Sequence, residues 1–212
     1  MKNNLVLRWV LTIIAVILNA LGVAFITTAA LGTVPATSIP HVIALSFGGL
    51  SLGSYLFILS CLQILFQIIL LRKAFHPVQI LQLVPSVLLS YFVDFFMLIL
   101  KDLNPSAYYQ QIMVLLLGTV ILAFSIALEV KVDLVYLPLD GFNKALAEVS
   151  GKSFEFIKTL TDCVMVAVAV AITLIANHKL LGVREGTIIA AVIAGFIVKL
   201  FAQLLNRIAP DQ

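Results

Sequence analysis

The chain has 212 residues, 62% of them hydrophobic and 11% charged, with a net charge of +3. Soluble domains carry roughly 25% charged residues, so there is too little charge here to coat a water-facing surface. That excludes a soluble globular fold, and so small a positive balance is no evidence of nucleic-acid binding.

Apolar runs of about 20 residues, the length that crosses roughly 30 Å of hydrocarbon as a helix, fall near 6–29, 52–71, 78–100, 109–128, 154–177 and 186–206. Little chain is left over, so residues 1–212 read as a single transmembrane domain in an all-α membrane protein. In the first run, Lys2 precedes apolar residues ending near Ala29 and Ala30, which has the outline of a secretory signal. The run exceeds the 7–15 apolar residues of a cleaved signal, so it is read as a retained span. Ala20 and Ala24 give it a weak small-residue stripe.

Between the first two spans, residues 35–50 contain no Lys, Arg, Asp or Glu, and Pro40 interrupts them. Two readings stand: a half-helix re-entering the bilayer, which needs protein or water around its backbone, or an ordinary amphipathic connector. The third span contains Gln82 and Pro85, and the proline is expected to kink it or free a carbonyl. It also contains Asp94, with no basic residue at i±3 or i±4. Its partner must come from another helix, or it is protonated. A desolvated carboxyl of this kind suits proton coupling, and a water-filled vestibule is the plain alternative.

After the fourth span, Asp140 is placed to cap a short helix over 138–151, with Lys144 and Glu148 at i+4 spacing and Gly151 closing it. Phe142, Ala145, Leu146 and Val149 form its expected apolar side. In the fifth span Lys158 and Asp162 share a face and can pair. Asp162 is roughly 12 Å along the helix from its end, too deep for a carboxylate to snorkel. Charges in spans are costly and are functional candidates. A buried pair that only fixes packing is the competing reading. The last span opens with Arg184-Glu185-Gly186-Thr187. Glu185 suits the positive end of a helix dipole, and with Arg184 the free N–H groups there are a candidate anion site. A plain capped helix end explains the same residues. Gly186, Ala190 and Ala194 form a small-residue stripe for close helix contact, with Ala191 and Gly195 beside it.

Cys61 and Cys163 lie inside spans, where a thiol acts as a small apolar group. His41, His76 and His178 stand far apart at span ends. No metal site, cofactor or catalytic constellation is indicated, so the chain is not expected to be an enzyme. Ten of its lysines and arginines (Lys2, Arg8, Arg72, Lys73, Lys131, Lys144, Lys152, Lys158, Lys199 and Arg207) fall on the side of the termini. Three (Lys101, Lys179 and Arg184) fall on the other. By the positive-inside rule both termini are cytoplasmic.

The chain also repeats itself. Leu31–Pro35 after the first span is answered by Val135–Pro138 after the fourth, and Ser51 and Cys61 match Ser153 and Cys163 at one offset of 102 residues. Tyr91–Phe96 lines up with Phe196–Phe201, which pairs Asp94 with Lys199. Two repeats, about 6–100 and 109–206, each hold three spans and a short half-helix or interfacial helix after the first. Because three is odd, the two repeats have inverted topology, as in many secondary transporters. Asp94 and Lys199 then lie at opposite depths and are unsuited to a direct ion pair.

Several segments resemble the YczE/YyaS/YitT family of bacterial membrane proteins. They are Gly182–Ile189 with Gly195 and Lys199, Leu137–Gly141, Lys158 with Asp162, Leu31-Gly32, Leu81-Gln82 and Tyr91–Phe96. The resemblance covers nearly the whole chain. One departure is at Asp140, where the family leads one to expect Glu preceded by Gly rather than Leu. The resemblance implies a largely uncharacterised membrane protein, in some cases described as a permease, and supplies no substrate.

The resulting expectation is a small-molecule transporter or permease of the bacterial inner membrane, with a polar site between the two halves and coupling to protons through a carboxyl. Asp94, Lys158 and Asp162 line or gate the site. Gln82 and Arg184 are candidate contacts, and Glu185, Thr187, Asp140 and Lys199 complete the candidate set. Expected partners are the lipid bilayer, an unidentified small-molecule substrate, and a homodimer mate or energising subunit. The alternative is a substrate-binding or accessory subunit that depends on such a partner.

Overall fold

A computed structural model describes residues 5–208; Lys2, counted above for orientation, lies outside the described residues. Eight α-helices follow one another: α1 (Leu5–Thr28), α2 (Ser38–Phe47), α3 (Leu52–Leu71), α4 (Leu83–Ile99), α5 (Tyr108–Val132), α6 (Pro138–Ser150), α7 (Phe154–Asn177) and α8 (Glu185–Ile208). Six of the helical segments are long and apolar enough to cross a membrane, whereas α2 and α6 are not. The protein is an all-helical, multi-pass membrane protein. The spans fall within a few residues of the apolar runs, and α5 alone continues well beyond its run, taking in Glu129 and Lys131.

Local chemistry sets the helix ends. Ser51 and Ser153 cap α3 and α7, their hydroxyls accepting from Ser54 N at 3.1 Å and Phe156 N at 3.3 Å. Gly151 ends α6 in the left-handed conformation. Asp133 and His178 close α5 and α7 at the same left-handed conformation, at φ 48° and 54°. Pro85 lies near the start of α4 rather than in its middle. It falls in the first turn of α4, where a missing N–H removes no intrahelical bond, and the irregularity lies upstream, where Pro77–Gln82 winds as a 3-10 helix.

Helices α1 and α5 form the central, antiparallel pair. A Cβ on Gly22 would stand 2.8 Å from the Leu122 backbone, and one on Gly118 would stand 2.9 Å from the Gly22 carbonyl oxygen. Only glycine permits that approach. Arg8, at the start of α1, donates to the carbonyls of Val132 and Asp133 at the end of α5, at 3.2 and 2.5 Å. These two sites name the ends of the bundle: the Arg8 end, and the opposite end that carries Asp94. Helix α4 packs on α1 and α8 packs on α5; α6 packs on α3 and α2 packs on α7. One pairing lacks its counterpart: α3 and α4 lie closely together, whereas α7 and α8 scarcely touch.

Candidate functional site

At the Arg8 end, the connection from α5 to α7 carries charge below the surface. Glu129, in the last turn of α5, is 8% exposed and accepts from Leu137 N at 3.0 Å. Its carboxylate thereby holds the chain where it turns into α6. No basic side chain lies within ion-pair distance of it among the described residues. Asp140 belongs to the first turn of α6 but does not cap it, since the cap position is Leu137 and Pro138 opens the helix. Its carboxylate instead receives Lys158 Nζ of α7 at 3.0 Å. The expected Lys158–Asp162 pair is thus replaced by a bond between helices: α6 brings a carboxylate to the lysine directly, whereas Asp162, one turn away, stays within its electrostatic reach.

Helix α6 packs against α3 and α7 along one side. Pro138, Gly141, Asn143 and Ala145 are buried, whereas Val149 is 56% exposed and Lys144 points outward. Of the expected apolar side, Ala145 is buried, Phe142 and Leu146 are half-buried, and Val149 is exposed. Nor does Lys144 bond Glu148: its ammonium stands 3.1 Å above the centre of the Tyr136 ring. Burial lowers the Lys144 pKa. Tyr136 donates to the Asp133 carboxylate, and burial, followed by that hydrogen bond, pushes its phenol pKa well up.

Asn143 is fully buried and both of its side-chain amide atoms lack a partner. Three residues beyond Asp140, it shares the helix face turned to α7. Ser125, one turn before Glu129 on α5, is also buried with its hydroxyl unpartnered. Burying such groups unpaired is costly, so this region has hydrogen-bonding capacity left over. Its charge is unbalanced as well: Glu129, Asp140 and Asp162 surround the single lysine Lys158, with Lys144 turned away to Tyr136.

The remaining candidates serve other ends. Gln82 is buried and forms a two-way amide pair with Gln67 of α3 at 3.0 and 3.1 Å, and Gln67 also donates to the Pro138 carbonyl at 3.1 Å. Gly141 of α6 lies against the pair, where a Cβ would stand 2.6 Å from Gln82 Oε1. The first turn of α8 holds the other connection in a comparable way. Gly186 N donates to Leu31 O at 2.9 Å, Thr33 N to the Thr187 hydroxyl at 3.2 Å, and Arg184 to Ala30 O at 3.2 Å. Arg184 also pairs with Glu185 at 2.9 Å. These donors already have protein acceptors, so the geometry favours a locked helix start over an anion site.

Asp94 finds its partner on α3. It accepts from the Ser51 hydroxyl at 2.5 Å and from Gly53 N at 2.8 Å, fastening α4 to the start of α3. Beside it lies a groove between α3 and α4, of about 370 Å³, lined by Gly53, Phe57, Ser90 and Tyr91 among others. Lys199 is exposed on α8 with no ion-pair partner among the described residues. Its helix ends at the Arg8 end, where Asn206 accepts from Lys131 at 2.7 Å, so Asp94 and Lys199 are far apart in depth. Cys61 and Cys163 are free thiols.

Glu129, Gln67 and Asn143 were not singled out from the sequence. Glu129 follows the apolar run and reads as the start of a hydrophilic connection. Gln67 carried the one available signal, an amide inside an otherwise apolar run.

The chain is 29% identical over 212 residues to the uncharacterized membrane protein YczE of Bacillus subtilis (strain 168), an alignment covering 97% of this chain and 92% of the relative. No solved structure matches it. A model of the family of unknown function DUF6198 matches residues 6–203, and the chain belongs to that family.

Proposed function

We propose that the protein is a small-molecule transporter of the bacterial inner membrane, with both termini cytoplasmic and two halves of inverted topology meeting at a polar site. The observation that carries this reading is the cluster of Glu129, Lys158 and Asp162 on two apolar spans, joined by Asp140 of the short α6 between them. Ionisable groups at such depth mark substrate and proton pathways. The matched packing of α4 on α1 with α8 on α5, and of α6 on α3 with α2 on α7, supports the inverted relation. In each half a connection is held by the other half: Leu31 and Thr33 by the first turn of α8, and Pro138 by Gln67 of α3.

Within this reading the roles change hands. Both oxygens of Asp94 are engaged in holding α3 to α4, so it acts as a clasp. The proton-carrying carboxyl is Glu129, which lacks a cation, and Asp162 is its neighbour across Lys158. Gln67 and Gln82 hold the start of α6 in place.

The test uses purified protein in liposomes loaded with a pH-sensitive dye. Polar metabolites that raise its melting temperature are added outside, and the reading requires proton movement that depends on the protein and is abolished by Glu129→Gln. Stabilising ligands that move no protons and do not cross would refute it. The second reading, a binding subunit that depends on an energising partner, is favoured by Lys199, an exposed lysine within a span and without an ion-pair partner among the described residues. It requires ligand binding without movement until the partner is added.

A further inference from the structure

We propose that the junction of α5, α6 and α7 binds a small organic cation bearing N–H donors, an ammonium or guanidinium, and that each cation bound displaces one proton from Glu129. The inference rests on reading this cluster as the substrate site, and it names the substrate class.

Two independent observations lead here. The first is charge. Three carboxylates, Glu129, Asp140 and Asp162, lie within reach of Lys158, and only Asp140 has it at 3.0 Å. Buried carboxylates without cations are held protonated or neutralised by a ligand. The second is the vacancy in hydrogen bonding. Asn143 is fully buried on the α6 face that carries Asp140, with neither its amide oxygen nor its amide nitrogen partnered. Its oxygen is a ready acceptor for an N–H, and a cation here gains both that acceptor and the uncompensated carboxylate. A quaternary ammonium gains only the charge.

Of the charged groups on the elements around Glu129, Asp140, Lys144 and Lys158 act on it electrostatically. Asp140 and Lys144 come from α6, and Lys158 with Asp162 from α7. Asp133 and Tyr136 come from the connection, Arg8 from α1, and Lys199 and Arg207 from the half of α8 nearest this end. Arg8 is engaged by backbone carbonyls and Lys144 by an aromatic ring, so neither neutralises Glu129 directly. In the empty site the Glu129 carboxyl carries its proton. On binding, the O–H bond breaks, the proton leaves to water at the Arg8 end, and the ligand's charge replaces it. One positive charge enters as one leaves.

The experiment is calorimetric titration of the purified full chain in detergent with guanidinium, ethylammonium and tetramethylammonium chlorides, against potassium chloride at matched ionic strength. Running each in two buffers of different ionisation heat counts the protons released. Expected are about one proton per bound guanidinium or ethylammonium, affinity rising roughly tenfold per pH unit while Glu129 is protonated, and weaker binding of tetramethylammonium. Glu129→Gln keeps an acceptor for Leu137 N and so keeps the fold; it should abolish proton release and flatten the pH dependence. Asn143→Leu should weaken both N–H-bearing cations at least tenfold and leave the proton count unchanged. No binding heat with any of the three cations, binding without proton release, or release that persists in Glu129→Gln would overturn the proposal. In liposomes, proton-releasing binding without passage refutes transport but leaves this site standing. Passage of either cation without a counter-moving proton refutes the exchange and leaves transport standing.

Discussion

Replacing Gln67 by leucine tests how α6 is held. In the native protein the Gln67 amide exchanges two hydrogen bonds with Gln82 and donates a third to the Pro138 carbonyl. Both side chains are buried, Gln67 at 0% and Gln82 at 5% exposure. Leucine is close in size but leaves the Gln82 amide unpartnered in an apolar setting, at a cost of about 1–3 kcal/mol beyond the lost bonds. Side-chain bonds between membrane helices average only about 0.6 kcal/mol when the unfolded state finds substitute partners. The two-way geometry and full burial place this pair above that mean, so Gln67→Leu should destabilise by about 2–3 kcal/mol. Gln82→Leu should cost a similar amount, by leaving Gln67 with the Pro138 carbonyl alone. In the double variant no amide is left unpaired, and the loss should fall about 2 kcal/mol short of the sum. Unfolding by sodium dodecyl sulfate, followed through the fluorescence of the single tryptophan, Trp9, measures all four corners of the cycle. Additive losses would refute the argument, because they would mean that the two amides do not depend on one another.

Three further expectations concern other parts of the fold. Gly53→Ala places a Cβ 2.1 Å from the Ser90 carbonyl oxygen and 2.6 Å from the Asp94 carboxylate; it should cost about 3 kcal/mol, while Gly195→Ala, with nothing within 4 Å, should leave the melting temperature unchanged. Burial of His41 against Gly182 lowers its pKa to about 4. The unfolded imidazole takes up a proton near pH 6.5 and the folded one only near pH 4, so about 3 kcal/mol of stability present above pH 6.5 is lost as the pH falls to 4. A pH series on His41→Asn should lack that component. Glu129→Ala removes the acceptor of Leu137 N, whereas Glu129→Gln retains it, and the alanine variant should be the less stable by about 1–3 kcal/mol in thermal melts.

The spans were legible because hydrocarbon demands about 20 apolar residues in a row, a constraint that needs no tertiary information. The same criterion placed the end of α5 too early: Glu129, Lys131 and Asp133 end an apolar window, but a helix continues through charged residues when its neighbours satisfy them. Lys158 was recognised as unusual, yet its partner was not, because i+4 spacing reports only neighbours on one helix and α6 supplies Asp140 from outside. Asn143 was hidden for a related reason. On a helix taken as half-wet, a polar residue attracts no notice, and only the packing of the helix into the bundle buries it. Asp94 was conspicuous in the sequence, but its acceptor role at the start of α3 depends on a chain approach that Gly53 alone permits.

The bonds from Ser51 and Gly53 to Asp94 keep one seam of the bundle shut while the seam between α7 and α8 stands ajar. Two such bonds to a carboxylate, at roughly 1.5 kcal/mol apiece in net terms, favour the closed seam by about a hundredfold. Any motion that parts α3 from α4 must therefore first unfasten a single aspartate.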